Sequence, residues 1–364
     1  MSYRRKPIVD KKTTSIINNG FKSVSCSMQG WRKNMEDSHS MTVLPSGILI
    51  YGVYDGHGGE EVAEFVSRYL PQVFKDLKQD FTNDEIKNGF IELDKMLIKN
   101  GNEILNFAHN KKKSRDSLFK SRMLEYKRDY PEMSPEDITK ELVCDYTGST
   151  ATVVFIDNDR IVTATLGDCQ GVIYRNTGES IDLHKCLHNL DNEVESDRVK
   201  KAGLEVGGKP LRISRELAVS RSFGDYRFKK QGTPKLPEDQ QPVSIIPDIM
   251  IHNRTNNDEF LLIGCDGIFD VFTSNIITNK IKKSLENEES IELALEKLLN
   301  DCLCPLDSEQ ELGKDNMTVL FVNLKKNSEI DINKRIQINS LLAMTPEQLS
   351  EYENFRFNEL HGGC

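Results

Sequence analysis

Three apolar runs in this chain each have an aspartate at one end, and this arrangement limits the folds that the chain can adopt. Asp55 ends the run Ile-Leu-Ile-Tyr-Gly-Val-Tyr, Asp266 ends Phe-Leu-Leu-Ile-Gly-Cys, and Asp315 precedes Asn-Met-Thr-Val-Leu-Phe-Val. Short apolar runs of this kind predict buried strands. Carboxylates at strand ends, beside glycines that allow close backbone approach, are typical of sites for hard divalent cations. These acids can meet only if one sheet-based core gathers them.

The composition excludes several classes of protein. The chain has 364 residues, of which 37% are apolar and 29% charged, and its net charge is −9. This length suits one large catalytic domain or two smaller ones, and the apolar fraction is enough for a sizeable core. An acidic surface repels phosphate backbones, so nucleic acid is not expected as a partner. No apolar stretch approaches the about 20 residues that cross a bilayer, so no membrane partner is expected.

The first residues and the cysteines indicate a location for the protein. No apolar segment follows the start Met-Ser-Tyr-Arg-Arg-Lys-Pro, so a signal peptide is not predicted. The eight cysteines lack the spacing of zinc fingers, and several lie in apolar runs, which is typical of reduced thiols in the cytosol. The basic run 111–115 resembles a nuclear import signal, although a solvated basic face is the favoured interpretation. We expect a cytoplasmic monomer, also present in the nucleus if that run acts in import.

Changes in composition divide the chain into a main domain and two ends. Residues 1–20 are basic and polar, which predicts a loose N-terminal arm. Residues 21–325 carry the strand and helix patterns and form the main domain. Residues 326–364 form a C-terminal tail, in which the capping box Thr345-Pro-Glu-Gln predicts a short helix.

Two segments of the main domain lack regular periodicity. Residues 108–143 are charged and interrupted by prolines, which predicts a surface insertion that is part helical and part mobile. Residues 182–243 are polar, glycine-bearing and irregular, which predicts a long loop region over one face. Both segments are therefore expected to lie at the surface.

Strand patterns dominate the remainder of the main domain. Asp157-Asn-Asp predicts a hairpin turn between two apolar strands. Helical periodicity returns over 274–285 and 290–301, before a strand at 317–324. Because the helices come in adjacent pairs and do not alternate with strands, the pattern favours an α+β sandwich over a doubly wound parallel sheet.

The acids at the strand ends could hold a pair of metal ions. Two divalent ions about 3.5–4 Å apart can share a water molecule, lower its pKa and direct the hydroxide at a phosphoryl group. Asp55 is the candidate bridge because it ends the strand with the most buried pattern, and the Gly56 carbonyl can approach an ion closely. Asp266 and Asp315 would complete the coordination of one ion, and Glu36 would help to hold the other.

Further acids extend this set. Asp266 and Asp270 are four residues apart and would share a helix face, so with Asp168 they could form a weaker third acidic site. Taken alone, an Asp-Gly after a strand is usually a turn, and Glu36-Asp37 is usually a solvated pair. The recurrence of one acid–glycine pattern at separated strand ends favours the metal site over these simpler interpretations.

Seven short segments, spread over most of the chain, form an ordered set. They are Met-Gln-Gly-Trp-Arg-Lys-Asn-Met-Glu-Asp (28–37), Tyr-Asp-Gly-His-Gly-Gly (54–59), Gly-Ser-Thr-Ala (148–151), Leu-Gly-Asp (166–168), Leu-Ala-Val-Ser-Arg-Ser-Phe-Gly-Asp (217–225), Cys-Asp-Gly-Ile-Phe-Asp (265–270) and Asp-Asn-Met-Thr (315–318). Together they resemble the successive signatures of the metal-dependent serine/threonine protein phosphatases, the type 2C family. The resemblance covers residues 21–325, and an ordered set of this size is very specific.

The resemblance implies both a fold and a metal centre. The fold would be a central antiparallel β-sandwich flanked by helices on both sides, with two Mg²⁺ or Mn²⁺ ions in a cleft at its end. Asp55 would bridge the ions. Glu36 and the Gly56 carbonyl would hold one ion, and Asp266 and Asp315 would hold the other.

The resemblance also assigns roles to residues around the ions. Arg32 resembles the phosphate-binding arginine, whose planar fork can clamp two phosphate oxygens. His57 resembles the general acid that protonates the leaving serine or threonine oxygen. Asp168 and Asp270 resemble ligands of a loosely held third ion. The residues that would orient ligands or waters are Asp37, Thr150 and Asn316.

The implied reaction is hydrolysis of phosphoserine and phosphothreonine in phosphoprotein substrates. A water that bridges the two ions would attack phosphorus directly, without a phosphoenzyme intermediate. The segment from Cys169 to Arg175 has the spacing of a cysteine-phosphatase loop. Its Val-Ile-Tyr favours a strand over the required nest of backbone amides, so the cysteine route is disfavoured.

Two other functions remain as alternatives. A catalytically silent scaffold with this fold would typically lose a bridging or capping acid, whereas every matching acid is present here. Another two-metal hydrolase, such as a nuclease, is disfavoured by the acidic balance and by the lack of aromatic residues interleaved with a basic stripe.

The chain departs from the family pattern at three places. Leu183-His-Lys-Cys186 stands where Asp-His-Lys-Pro is common, and Ser214-Arg-Glu216 replaces a usual glycine. The insertion 108–143 is longer than in compact members. These departures bear on the choice of substrate and leave the predicted metal ligands unchanged.

Overall fold

The structure, a computed structural model, describes residues 3–99, 117–229, 236–306, 308 and 310–325. The basic run 111–115 and the tail 326–364 lie outside the described residues, so what was predicted for them stays a prediction. None of the helices in the described ranges is long and apolar enough to cross a membrane.

The largest sheet has six strands, each antiparallel to its neighbours. In spatial order they are β1 (Ile8–Asn18), β2 (Phe21–Gly30), β16 (Met317–Asn323), β15 (Asp258–Gly264), β9 (Gln170–Arg175) and β10 (Ser180–Asp182). Gly264 at the end of β15 pairs with Val319 near the start of β16. Asp266 and Asp315 therefore lie at the same end of this sheet.

The second large sheet has five antiparallel strands. In spatial order they are β14 (Asp248–Asn253), β8 (Arg160–Leu166), β7 (Ala151–Ile156), β4 (Leu49–Tyr54) and β3 (Ser38–Val43). The end of β4 lies beside the start of β3, because Tyr54 pairs with Ser38. The end of β8 likewise lies beside the start of β7. Residues that follow β4 and β8 thus share one end of the sheet with residues that precede β3 and β7.

The described residues also form two small sheets. One is β13 (Phe223–Gly224), β6 (Gly148–Ser149) and β5 (Gly56–His57), and the other is β11 (Val206–Gly207) with β12 (Arg212–Ile213). The three-stranded sheet extends from the end of β4 and the start of β7. It therefore continues the second large sheet at the end that carries Asp55.

The two large sheets pack face to face, which confirms the predicted antiparallel sandwich. One apolar core joins buried residues of both sheets, among them Cys26 of β2, Tyr51 of β4 and Leu261 of β15. The Ser23 hydroxyl donates a hydrogen bond to the Tyr51 hydroxyl at 2.8 Å, so the sheets are also joined by a polar contact. Every residue of β4 is buried, as expected for an apolar strand covered on both faces.

Helices cover both outer faces of the sandwich. Helices α1 (Glu61–Val73) and α2 (Asn83–Lys99) pack on the sheet that contains β4, whereas α8 (Ser274–Glu286) and α9 (Ile291–Cys302) pack on the six-stranded sheet. The remaining helices are α3 (Ser117–Asp129), α4 (Pro135–Tyr146), α5 (Glu193–Lys201), α6 (Tyr226–Lys229) and α7 (Asp266–Phe269). The hairpin turn at Asp157 and the paired C-terminal helices agree with the sequence-based expectations.

The prediction of a loose arm over residues 1–20 is wrong for residues 8–18, which form β1. This strand pairs along most of its length with β2, from Lys11 opposite Met28 to Asn18 opposite Phe21. The two strands are joined by Asn19-Gly20, and both residues have positive φ (51° and 83°). Such a dipeptide is a strong hairpin signal, and the Thr and Ile residues of β1 favour a strand.

Two other segments are more ordered than the sequence indicated. The predicted surface insertion 108–143 ends in α4, whose Ile138, Leu142 and Val143 are fully buried or nearly so. The description of the insertion as surface is therefore wrong for this helix. The predicted loop region 182–243 contains α5 and a small apolar core of its own, which includes Val199 and Ile213. Its apolar residues are spaced irregularly, so periodicity did not reveal them.

A buried ion cluster holds the 182–243 region together. Glu195 of α5 accepts from Arg221 at 2.6 Å and pairs with Arg198 at 2.7 Å. Arg221 also donates to Asp248 at 2.9 Å. Burial acts to raise the pKa of Glu195, but the hydrogen bonds from Arg221 and the positive charges of both arginines outweigh it and lower this pKa to about 2.

Replacing Glu195 with alanine should lower the free energy of unfolding by about 3–5 kcal/mol, because it leaves buried charges without their partner. The matched control is Glu179→Ala, since Glu179 forms an exposed pair with Arg175 that should contribute at most about 1 kcal/mol. Chemical denaturation of both variants at neutral pH checks this. If both substitutions lowered the free energy of unfolding equally, the stabilising role of the Glu195 ion cluster would be contradicted.

The ionised Glu195 carboxylate also predicts that the free energy of unfolding depends on pH. The pKa of Glu195 is lowered from 4.5 to about 2 in the folded protein, so its stabilising contribution is present above pH 4.5 and is lost as the pH falls toward 2. The stabilities of the parent and of Glu195→Ala should therefore converge over this range. A constant difference between them would show that the carboxylate charge is not the cause.

Candidate functional site

Asp55 is fixed in place by Thr150, at the junction of the second sheet and its three-stranded extension. The Asp55 carbonyl accepts a hydrogen bond from the Thr150 backbone N–H at 2.9 Å. The Asp55 backbone N–H donates in return to the Thr150 hydroxyl at 3.3 Å. These two hydrogen bonds hold the backbone of Asp55 at the end of β4. The position from which its side chain extends is therefore fixed.

The close approach of two loops brings Asp266 and Asp315 together. Gly267, the second residue of α7, packs directly against the backbone of Asn316. A Cβ atom at Gly267 would come within 2.0 Å of the Asn316 carbonyl oxygen, so no other residue fits there without movement. The glycine therefore lets the start of α7 lie against the segment that carries Asp315.

Asn316 ties this segment to the loop after β2. Its side-chain oxygen accepts from the backbone N–H of Glu36 at 2.9 Å, and its amide group donates to the carbonyls of Gln29 at 2.8 Å and Asn34 at 3.0 Å. Its own backbone N–H donates to Asp315 Oδ1 at 2.7 Å. The predicted orienting residue thus contacts both Asp315 and the Glu36 loop.

Glu36 and Asp37 reach the same end of the sandwich from the loop before β3. A Cβ atom on Gly56 would lie 2.3 Å from the Glu36 carbonyl oxygen, which shows how closely this loop packs on β5. Asp37 accepts from the Thr318 hydroxyl at 2.7 Å. Carboxylate oxygens of Asp37 and Asp55 and the Cys265 sulfur lie within 4.8 Å of one another.

The acids interact strongly through their charges. Burial, followed by repulsion from Asp266 and Asp37, raises the pKa of Asp55 well above its usual value. Burial and then repulsion from Asp168 and Asp315 do the same to the pKa of Asp266. These side chains are therefore close enough to oppose one another's ionisation.

The two residues predicted for a third ion join the same cluster. Asp168 follows β8, and Asp270 lies just after α7, four residues beyond Asp266. Burial and then the charge of Asp270 raise the pKa of Asp168 to about 6. The structure thus brings every predicted acid to one end of the sandwich, whereas their roles as ligands stay predictions.

The cluster has features that fit divalent cations. The Asp266 Oδ1 atom is buried and has no hydrogen-bond partner among the described residues. Carboxylate and carbonyl oxygens are the donors that Mg²⁺ and Mn²⁺ prefer. Mutually repelling carboxylates, one of them with a buried and unsatisfied oxygen, would be stabilised by such ions.

Arg32 is the basic side chain that contacts the cluster directly in the described part of the chain. Its guanidinium forms an ion pair with Asp315, and its Nε is buried without a hydrogen-bond partner in the ranges described. Burial acts to lower the pKa of Arg32, but Asp315 and then the charges of Asp55 and Glu36 raise it. The predicted phosphate-binding residue therefore lies beside the predicted metal ligands.

His57 lies on β5 and forms a pair with Asp225 that the sequence did not predict. The two side chains are joined between His57 Nε2 and Asp225 Oδ2 at 2.6 Å, and Ser222 donates to the same oxygen at 2.6 Å. Cβ atoms are excluded at Gly148, where one would lie 2.4 Å from His57 Nε2. The only sequence signal was the position of Asp225 at the end of the fifth signature segment.

The cysteine-phosphatase alternative does not agree with the structure. Residues Gln170–Arg175 form β9, so their backbone amides are used in a sheet, and Cys169 is fully buried. Burial, followed by the charges of Asp55 and Asp168, raises the pKa of the Cys169 thiol well above its usual value. A nucleophilic cysteine needs the opposite shift.

Comparison with known proteins adds independent information. The family model described as protein phosphatase 2C matches residues 21–309. Probable protein phosphatase 2C 2 of Paramecium tetraurelia is 31% identical over 336 residues, which cover 89% of this chain and 99% of that protein. Probable protein phosphatase 2C 11 of Oryza sativa is 31% identical over 349 residues, which cover 92% and 93% of the two chains.

Solved structures give the same fold. The crystal structure of a phosphatase from Toxoplasma gondii superposes with a TM-score of 0.65 at 19% identity and covers 88% of this chain and 97% of that chain. At this identity the likeness shows the fold alone. Membership rests on the family model and on the relatives, which match most of this chain and nearly the whole of their own length. The chain belongs to the protein phosphatase 2C family of metal-dependent serine/threonine phosphatases.

Proposed function

We propose that this chain hydrolyses phosphoserine and phosphothreonine in proteins with two Mg²⁺ or Mn²⁺ ions held by the acidic cluster. The observation that carries this proposal is the convergence of Asp55, Asp266 and Asp315 at one end of the sandwich. A catalytically silent scaffold would gain nothing from such a cluster, since mutually repelling, half-buried carboxylates destabilise a fold.

The chain's own residues would divide the task of holding the ions. The charges of Asp266, Asp37 and Asp315 all act on Asp55, and its carboxylate would contact both ions. Glu36 and the Gly56 carbonyl would hold one ion, and Asp266 and Asp315 the other. When bound, the ions would acidify a water molecule and offset charge on the phosphoryl oxygens.

Arg32 would bind the phosphate group of the substrate. Its guanidinium already lies among the acids, with Nε buried and available. A planar guanidinium can donate two parallel hydrogen bonds to phosphate oxygens, which orients the phosphorus as well as attracting it. Arg32 would therefore position the substrate next to the metal ligands.

His57 would give a proton to the leaving oxygen. Asp225 accepts from His57 Nε2, which fixes the ring and leaves Nδ1 as the nitrogen that can face the substrate. Asp225 itself is held by Ser222 and by its backbone N–H, which donates to the Thr147 carbonyl at 3.0 Å. Asp225 would thus act as a positioning residue for the general acid.

A panel of phosphopeptides tests the proposed activity. Phosphate release should occur from phosphoserine and phosphothreonine peptides with Mn²⁺, should be much weaker from phosphotyrosine peptides, and should stop in excess chelator. Release that persists in chelator would exclude the metal mechanism. A preference for phosphotyrosine would exclude the proposed substrate class.

The substitution Asp55→Asn tests the central ligand with two measurements. Phosphate release should fall to less than about a tenth of the parental rate, because this carboxylate would hold both ions. Mn²⁺ should raise the thermal midpoint of the parent by binding the folded state, and the variant should lose most of this shift. Asp10→Asn, at an exposed position of β1, is the control that should keep both properties. A variant that keeps the Mn²⁺ shift would remove Asp55 as the bridge.

The substitution His57→Gln tests the proton donor. Turnover of a phosphoserine peptide should fall by about 10²–10⁴-fold, because an alkoxide leaves poorly without a proton. An aryl phosphate, whose phenolate leaves readily, should be affected much less. Asp225→Asn should give the same pattern in weaker form, since it acts through the imidazole. Equal losses on both substrates would argue against a proton-transfer role for His57.

A further inference from the structure

A second group of metal-type side chains lies outside the acidic cluster, in the 182–243 region and at the start of β14. Cys186 Sγ, His188 Nε2 and an Asp248 carboxylate oxygen all lie within 4.8 Å of one another. Cys186 stands where the resemblance to type 2C phosphatases would lead one to expect proline. We propose that these three side chains form an inhibitory site for Zn²⁺.

The distances between the side chains are compatible with a shared cation. Asp248 Oδ2 is 3.5 Å from His188 Nε2, which is longer than a good N–H···O bond of about 2.7–3.2 Å. The same oxygen accepts a weak hydrogen bond from Cys186 Sγ at 3.7 Å. Around tetrahedral Zn²⁺, with bonds of about 2.0–2.3 Å, neighbouring ligand atoms lie about 3.4–3.6 Å apart.

His188 supplies a second observation that points to a ligand. The residue is completely buried, and its Nε2 atom has no hydrogen-bond partner within the described ranges. Asp248 Oδ1 is occupied by Arg221 at 2.9 Å, which leaves Oδ2 directed at the histidine and the cysteine. Cys186 is partly exposed, which provides a route for an ion from solvent.

The donor set selects the class of metal. Thiolate and imidazole are soft or borderline donors, which favour Zn²⁺ over Mg²⁺. The acidic cluster, which offers mainly oxygen donors, has the opposite preference. The two sites would therefore bind different cations. Three protein ligands leave a fourth position for water, since Cys186 and Asp248 both face solvent in part.

Metal binding at His188 would affect the catalytic end of the sandwich. His188 Nδ1 accepts a hydrogen bond from the Gly167 backbone N–H at 3.1 Å. The backbone N–H of His188 donates to the Gly167 carbonyl at 3.0 Å. A neutral imidazole that binds metal through Nε2 must carry its proton on Nδ1. That proton would point at the Gly167 N–H, so this hydrogen bond would be lost.

The loss would displace a residue of the acidic cluster. Gly167 immediately precedes Asp168, so a shift of the Gly167 peptide would also displace the backbone of Asp168 and, with it, the Asp168 carboxylate. On binding, the Cys186 thiol would release its proton to solvent, while the imidazole proton would pass from Nε2 to Nδ1. Zn²⁺ at this site is therefore expected to reduce turnover without competing for the ions of the acidic cluster.

Cobalt substitution tests the site independently of catalysis. Co²⁺ added to the full chain should give a thiolate-to-metal charge-transfer absorption band. Cys186→Ser should abolish the band, and Cys364→Ser, which removes a thiol from the C-terminal tail, should leave it intact. A band that is absent from the parent, or that survives Cys186→Ser and so arises from another thiol such as Cys265, would overturn the site.

Inhibition by Zn²⁺ at saturating Mn²⁺ tests the coupling. Loss of a residue that supports a metal site typically costs about 10–100-fold in affinity, and loss of a ligand should cost at least as much. Cys186→Ser should therefore need at least about tenfold more Zn²⁺ for half-inhibition, with unchanged activity in its absence. Equal sensitivity of the parent and the variant would overturn the coupling. Because the cobalt band needs no turnover, its outcome does not depend on the phosphatase proposal.

Discussion

The mutual repulsion of clustered, half-buried carboxylates is the constraint on which the rest of this structure depends. Asp55, Asp266 and Asp37 are half-buried. They lie close enough together that the pKa of Asp55 is well above its usual value, loss of hydration being the largest cause and repulsion from the other two the next. Arg32 offsets part of this charge through its ion pair with Asp315. Such a cluster destabilises the fold that contains it, so it persists only where a well-packed scaffold holds it. The two apolar sheets and their helices provide that scaffold.

The antiparallel topology explains how distant acids meet. In each large sheet one strand ends where its neighbour begins, so residues that follow β4, β8 and β15 join residues that precede β3, β7 and β16 at one end. Glycines then allow the loops at this end to touch. A side chain at Gly56 or Gly267 would overlap the backbone of the opposite loop. The acids are therefore brought together by backbone packing, before any metal is considered.

The 182–243 region is connected to this end by polar contacts and not by its apolar core alone. Glu195, Arg221 and Asp248 form a continuous ion cluster, and His188 lies between Asp248 and Gly167. Asp248 is thus connected to Asp168 through His188 and Gly167, and His188 is connected to it through Gly167 alone. The same region supplies Asp225, which contacts His57. The 182–243 region and the segments that carry the acids are therefore joined by hydrogen bonds and ion pairs.

The sequence by itself determined the strands that end in acids, the α+β class and the family, because these depend on local apolar patterns and on ordered motifs. It also predicted every acid of the cluster, since most of them lie next to a strand and all of them lie in the ordered motifs. Only the tertiary structure decided that residues 8–18 pair with β2 and that α4 is buried. It alone joined His57 to Asp225, 168 positions away, and His188 to Gly167 and Asp248. The physical reason is that a hydrogen bond depends on distance and direction in space, and neither is encoded in the residues next to its donor.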